Sequence, residues 1–337
     1  MNDPASTVAG VPPAEATGRL KADAAGIARA AELIRSGRLV AFPTETVYGL
    51  GADAANPAAV AAIFAAKERP RFNPLIAHLP DAETARREGR FDGIAERLAR
   101  AFWPGPLTLV VPAAPEGRVC DLARAGLRSV ALRVPESGIA RDLIAAVGRP
   151  VAAPSANRSG RVSPTRAEHV RADLDGRLAA ILDGGACPIG VESTVVACLD
   201  GVPRLLRPGG ITRRALEDVL GRRVEGPAED AAEKPVGPGL LASHYAPRAR
   251  LRLGAARIAP GEAALLFGGA RPPGLTDAVG WLDLSATGDL AEAAAGLFAA
   301  LRFLDAMGTA VIAAVPIPQE GLGEAINDRL ARAAAPR

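Results

Sequence analysis

The chain has 337 residues, more than the roughly 250–300 at which a single hydrophobic core stops growing, so two domains are expected. Hydrophobic residues make up 49% and charged residues 23%, with a formal net charge of +3; this is an ordinary globular balance that suits small anionic ligands and excludes a polybasic tail. Cys120, Cys187 and Cys198 show no Cys-x-x-Cys spacing, and His78, His169 and His244 lie far apart, which argues against a disulfide framework and against structural zinc.

Residues 1–22 read as a flexible leader. They carry Glu15 and no apolar run of the secretory kind, so a cytoplasmic, reduced setting is expected. Helical periodicity over 24–36 stops at Gly37, a favourable residue just past a helix end. A strand is predicted over 39–42. Asn56-Pro57 starts a helix, with Asn as N-cap and Pro in the first turn. A short strand over 75–78 follows, then one helical region over 81–103, broken by Trp103-Pro104-Gly105-Pro106. Strands are predicted over 107–111 and 130–134, a helix over 137–147, a strand over 151–153, a helix over 165–174 and a strand over 180–182. Asp200-Gly201 is a hairpin turn between strands at 193–199 and 203–206. A helix over 212–220 closes this α/β unit. The apolar run 107–111 is far too short to cross a bilayer.

Residues 221–248 have the composition of a linker, ending in Ser243-His244-Tyr245-Ala246-Pro247. Beyond it, strands over 251–253, 264–267 and 310–315 alternate with helices over 289–307 and 324–333. That alternation predicts a smaller Rossmann-like layer over 249–337.

The polar residues cluster where strands end, which is where open α/β sheets bind ligands. Pro43-Thr44-Glu45-Thr46 follows the first strand, and Gly49 and Gly51 let a backbone or a ligand come close. Lys67 and Arg69 add cations to a chain with only three lysines. Pro154-Ser155-Ala156-Asn157 and Ser163-Pro164 are hydroxyl-rich loops, each also readable as a plain turn. Arg133 sits in an apolar strand and needs an anionic partner. That partner is either structural, such as Glu45 or Glu192, or a ligand carboxylate, which Arg binds bidentately. Gly49-Leu50-Gly51 with Ala54 formally matches a dinucleotide fingerprint, but the helix begins only near Pro57. No Gly-Lys-Ser/Thr and no Gly-x-Ser-x-Gly occurs, which excludes a Walker P-loop and disfavours a hydrolase elbow.

Taken together, Pro-Thr-Glu-Thr-x-Tyr-Gly-Leu, Lys-x-Arg-Pro, Asn-Pro-Leu, Trp-Pro-Gly-Pro-x-Thr, Pro-Ser-Ala-Asn, Ser-Pro-Thr, Glu-Ser-Thr and Leu-Arg-Pro-Gly run in one order from residue 43 to 209. This resembles the Sua5/YrdC/YciO family in its two-domain Sua5 form. The likeness extends through Ser243 to Pro247 and into Glu320 to Arg329. It implies a YrdC-like twisted open mixed sheet with a concave cavity over 23–220, and a Sua5-type C-terminal domain. It also implies a reaction: L-threonine, bicarbonate and ATP give L-threonylcarbamoyladenylate, pyrophosphate and water. The product feeds threonylcarbamoylation of adenosine 37 in tRNA by a downstream transferase complex.

Carried over by motif position, the resemblance places L-threonine on Thr46, His78, Arg133, Ala153 and Ser193. It places ATP on Lys67, Arg69, Asn73, Ser129, Ser155, Ser163, Arg207 and Tyr245, with Asn157 secondary. Lys67, Arg69 and Arg133 would stabilise charge in the reaction, and Tyr245 would belong to a flap over the nucleotide. Mg²⁺ would come with the ATP phosphates, with no fixed protein ligand. The competing expectations are a non-catalytic RNA-binding YrdC-like module, disfavoured by low charge and few aromatics, and a hydrogenase-maturation carbamoyl-transfer protein, which would need zinc-finger cysteine pairs.

Overall fold

The computed structural model describes residues 16–70, 72–227 and 244–336. Ten strands build the first sheet. They are β1 (Gly18–Lys21), β2 (Val40–Pro43), β3 (Tyr48–Asp53), β4 (Ile76–His78), β5 (Leu107–Pro112), β6 (Ser129–Arg133), β7 (Val151–Ala152), β8 (Ala180–Asp183), β9 (Thr194–Cys198) and β10 (Pro203–Arg207). Their order is β1-β8-β2-β3-β7-β4-β6-β5-β9-β10, with both parallel and antiparallel neighbours, so the sheet is mixed. Its helices are α1 (Ala24–Arg35), α2 (Pro57–Lys67), α3 (Ala82–Glu88), α4 (Gly93–Phe102), α5 (Gly138–Val147), α6 (Ala167–Leu174) and α7 (Arg213–Leu220). A second, four-stranded sheet holds β11 (Arg250–Arg252), β12 (Ala263–Leu266), β13 (Gly280–Asp283) and β14 (Val311–Ala314), in the order β11-β14-β12-β13 and all parallel. Helices α8 (Leu290–Ala306) and α9 (Gly323–Ala334) pack on it.

Local chemistry explains the main boundaries. Asn56 Oδ1 accepts from the amides of Ala58 and Ala59 and caps α2, with Pro57 at its first position. Gly148 ends α5 in the left-handed region, where glycine has no steric penalty. Strand alternation then sorts the faces. Ala77, Leu109, Leu132, Val196 and Leu205 pack into the main core together with Leu98 of α4 and Leu216 of α7. Their neighbours Ile76, Val110, Ala131, Val195, Ala197 and Leu206 form a small apolar floor on the opposite face.

Four expectations are corrected. The leader does not reach residue 22: Gly18–Lys21 pairs in parallel with β8 and is an edge strand. It has no alternating apolar pattern, so only the waiting edge of β8 defines it. The helical region over 81–103 is two helices. A Cβ on Gly89 would come within 2.4 Å of Val111, so the chain turns there, and Asp92 caps a new start. Tyr48–Asp53, where no strand was expected, is a buried strand, and of the backbone or ligand that Gly49 and Gly51 could admit it is neighbouring chain that lies against them. Gly51 is required because a Cβ would meet the Phe42 ring at 2.8 Å. Finally, β13 is an additional edge strand whose half-exposed Trp281 interrupts any buried apolar run. The Pro238-Gly239 part of the linker motif lies outside the described residues.

Candidate active site

The site is assembled at strand ends. Pairing of β4 with β6 sets His78 beside Arg133, and pairing of β5 with β6 sets Thr108 on its other side. The loop after β2 folds on itself: Thr44 Oγ1 donates to the Val47 carbonyl at 2.7 Å and lies 2.8 Å from Thr46 Oγ1. Thr46 Oγ1 is thereby offered to Arg133, whose terminal nitrogen donates to it at 2.9 Å and to Glu45 Oε1 at 2.6 Å. Arg133 is only 4% exposed. Its Nε is buried with no partner among the described residues. Burial pushes the Glu45 carboxyl up and Arg133 pulls it down, and the net shift is down.

A β-bulge supplies the second arginine. Leu205 pairs with Val196 but Arg207 pairs with Val195, so Leu206 is an extra residue. The bulge turns Arg207 from the helix side onto the cavity side. There its guanidinium donates to the Ser193 carbonyl at 2.9 and 3.1 Å and to Ser193 Oγ at 3.1 Å. Arg69 reaches the same cavity from the end of α2, donating to the Asn73 and Pro74 carbonyls. Burial, then the field of Arg207, draws it down to about 10.

The cavity is lined by Val47, Arg69, Asn73, Ile76, His78, Arg133, Ala153, Ser155, Glu192, Ser193, Arg207, His244, Tyr245 and Arg332, among others. Thus His78, Arg133, Ala153 and Ser193 of the threonine set meet Arg69, Asn73, Ser155, Arg207 and Tyr245 of the nucleotide set in one place. Thr46 stands just behind, bonded to Arg133. His78 is held neutral, drawn down to about 3 by burial and by Arg133.

Lys67, Ser163 and Ser129 do not line this cavity. Lys67 is 1% exposed and its ammonium donates to the Ser155 and Asn157 carbonyls at 2.6 and 2.5 Å. It therefore ties the Pro154–Asn157 loop to α2, and Asn157 in turn donates to the Arg158 and Arg161 carbonyls. Ser163 donates to Glu192 at 2.5 Å. Ser129 shares the face of β6 with Arg133 but lies four residues, about 13 Å, further along.

Sequence reasoning missed Glu192, His244 and Arg332 as cavity walls. The sequence offers Glu192 as a partner for Arg133 and as part of the Glu-Ser-Thr motif. It is instead gripped by Ser163 and Arg329. Against the cost of burial, Arg329 and Arg207 hold it down at about 2. His244 stacks edge-on to Tyr245, and its Nδ1 is buried without a partner among the described residues. The Ser243–Pro247 motif was the available signal. Tyr245 has φ +63°, packs on Phe298 of α8 and is itself buried. The space between these side chains that the centres of water-sized molecules can reach is about 70 Å³, and His244 and Tyr245 form part of its wall.

Among the described residues, no group of three or more His, Cys, Asp or Glu is placed to hold a metal ion, and no helix is long and apolar enough to cross a membrane.

The chain is similar to known proteins along most of its length. The Sua5/YciO/YrdC family model, described as telomere recombination, matches residues 32–209, and a model described as the threonylcarbamoyl-AMP synthase C-terminal domain matches 211–335. The threonylcarbamoyl-AMP synthase of Bacillus subtilis strain 168 is 44% identical, covering 96% of this chain and 97% of that protein. That of Pyrococcus abyssi is 42% identical, covering 91% and 94%. The crystal structure of P. abyssi Sua5 complexed with L-threonine superposes with a TM-score of 0.84 at 38% identity, covering 94% of this chain and 97% of that one.

Proposed function

The chain belongs to the Sua5/YrdC/YciO family, and on that premise we propose that it makes L-threonylcarbamoyladenylate from L-threonine, bicarbonate and ATP. The observation that carries this reading is the convergence, in one small cavity, of Arg133 beside His78 and of Arg69 with Arg207. Arg133 keeps a free buried Nε and suits the amino-acid carboxylate. Arg69 and Arg207 suit the triphosphate.

The chemistry needs no side-chain nucleophile. The threonine amine attacks the carbon of CO₂ derived from bicarbonate, loses a proton and becomes a carbamate. A carbamate oxygen then attacks the α-phosphorus, the bond from that phosphorus to the bridging oxygen breaks, and pyrophosphate leaves. The protein's share is to hold two anions side by side and to stabilise growing charge on phosphate. Thr46, Ser193 and the Ala153 backbone orient threonine. Asn73 and Ser155 follow the nucleotide, and Ser163 acts through Glu192, to which it donates. Lys67 acts through the loop that carries Ser155.

Glu192 is the one carboxylate lining the cavity among the described residues, and Arg329 and Ser163 already hold it. The site's own residues thus make no metal cradle. Adenylate-forming enzymes of this kind use a divalent cation, and here Mg²⁺ would arrive on the ATP phosphates. Tyr245 and His244 form the cover, which would keep water from the acyl-adenylate once substrates are in place.

The domain split runs from β1, which pairs in the first sheet, to 220 for catalysis, with a linker to 248 and the C-terminal unit after it. The product would pass to a tRNA threonylcarbamoyl-transfer complex in the cytoplasm. The alternative of a non-catalytic RNA-binding module has less support, since Arg133 and Arg207 are buried in a cavity and not displayed on an open face. Pyrophosphate release measured with each substrate omitted in turn is the test. Release that persists without L-threonine or without bicarbonate would overturn the reading.

A further inference from the structure

Arg329 is 0% exposed, although it is the bulkiest of the fully buried side chains. It belongs to α9 of the C-terminal unit, yet most of its partners belong elsewhere. Its Nε donates to Glu192 at 2.7 Å, and a terminal nitrogen donates to the Pro208 carbonyl at 2.9 Å. Its guanidinium lies 5.1 Å from the centre of the Tyr245 ring. Only Asp328, at 2.5 Å, is a partner on its own helix. One side chain therefore touches the cavity wall, the loop that follows Arg207, and the cover.

The surroundings leave this arrangement little freedom. Val47, Val162 and Val191 from the first unit's loops share a core with Tyr245, Leu297, Phe298 and Leu301. A Cβ on Gly190 would come within 2.4 Å of the Ala294 and Ala295 carbonyls, so the wall loop lies directly on α8. A buried guanidinium and carboxylate are costly to desolvate, and an apolar pair would hold two domains together as well. What the ion pair adds is a fixed register between three parts of the site.

We propose that Arg329 is a positioning residue of the active site: by pinning Glu192, the Pro208 carbonyl and Tyr245 at once, the C-terminal unit sets the cover over the substrates. This rests on the synthase reading above. It gives the C-terminal unit a task in the reaction without contact with the reacting atoms. Losing the pin leaves Arg133, Thr46 and His78 in place on the first sheet, so threonine still binds. The cover no longer settles, and water reaches the adenylate.

The experiment uses the full-length protein and the variants Arg329→Met, Arg329→Lys and Glu324→Gln. Glu324 pairs with Arg213 across the same interface, away from the cavity. Three quantities are read: L-threonine affinity by calorimetry, kcat for pyrophosphate release, and the share of ATP appearing as AMP instead of threonylcarbamoyladenylate within a single turnover. For Arg329→Met, threonine affinity stays within about threefold, kcat falls at least about tenfold and the AMP share rises. Arg329→Lys regains part of both, and Glu324→Gln stays within about twofold of wild type. A folded Arg329→Met with wild-type kcat and product share overturns the proposal. So does a Glu324→Gln that loses as much as Arg329→Met. If Arg329→Met does not fold, Arg329→Lys decides: a lower kcat with more AMP supports the pin, and wild-type behaviour overturns it. Wild-type protein that releases no pyrophosphate with all substrates present sinks the synthase reading and this one together. Wild-type turnover with unperturbed Arg329 variants sinks only the pin.

Discussion

Replacing Arg133 by Ala removes two things that can be measured apart. The first is the carboxylate clamp. Truncating one partner of a buried, hydrogen-bonded charge pair costs about 2–5 kcal/mol, which is roughly a 30- to several-thousand-fold loss of L-threonine affinity. The second is the partner of Glu45, 2.6 Å away and equally buried. Stranding that carboxylate costs about 3–5 kcal/mol of stability at neutral pH. The two effects differ in their response to pH. In the wild type, Glu45 is held below its ordinary value, so its contribution is present above about pH 4.3 and lost as pH falls through the folded-state value. In Arg133→Ala, burial is opposed only by backbone hydrogen bonds, and the Glu45 value rises. The variant is then least penalised below about pH 4.3 and loses stability as pH rises. Urea unfolding at pH 4.5 and pH 7 reads this reversal, and calorimetry reads threonine. In Arg133→Ala combined with Glu45→Gln, stability should return and threonine affinity should not. A folded double variant that binds L-threonine within about threefold of wild type would refute the clamp.

Lys67→Met leaves the Asn157 carbonyl, now satisfied by the ammonium, without a donor, while the Ser155 carbonyl keeps only the Asn157 amide. About 1–3 kcal/mol of stability should be lost for the stranded carbonyl, with a raised KM for ATP and an unchanged threonine affinity; a stable variant with wild-type kinetics would dismiss the loop-tying role. Glu192, drawn to about 2 from an ordinary 4.5, contributes on the order of 3 kcal/mol above the unfolded value. That stability should vanish as pH falls from about 4.3 to 2, and in Glu192→Gln the unfolding profile over that range should flatten. Gly209→Ala would put a Cβ 2.3 Å from the Glu192 carbonyl and 2.4 Å from the Thr194 amide. Both neighbours are backbone, so a loss of about 1–3 kcal/mol in thermal unfolding is expected, together with a lower kcat; an unchanged melting temperature would show that the two loops can separate freely.

The amino-acid sequence by itself determined which residues could form the site. The hydroxyls of Thr46 and Ser193, the cations at 133 and 207, and the amide at Asn73 stand beside strand ends, and Arg69 follows the end of α2; such ends are legible because turn residues and apolar runs are local properties. Elements with local start signals, such as α2 behind Asn56-Pro57, were legible for the same reason. Tertiary packing decided the rest. Gly51 marks a strand only because Phe42 lies against it, and Gly18–Lys21 is a strand only because β8 offers an edge. Whether Arg207 faces the helices or the cavity depends on one bulged residue in β10, and Lys67 turns inward because two carbonyls converge on it. Glu192 and Arg329 stand far apart in the chain and meet through the packing of two units. No periodicity or spacing encodes such a meeting, because burial and charge pairing act through space and not along the backbone.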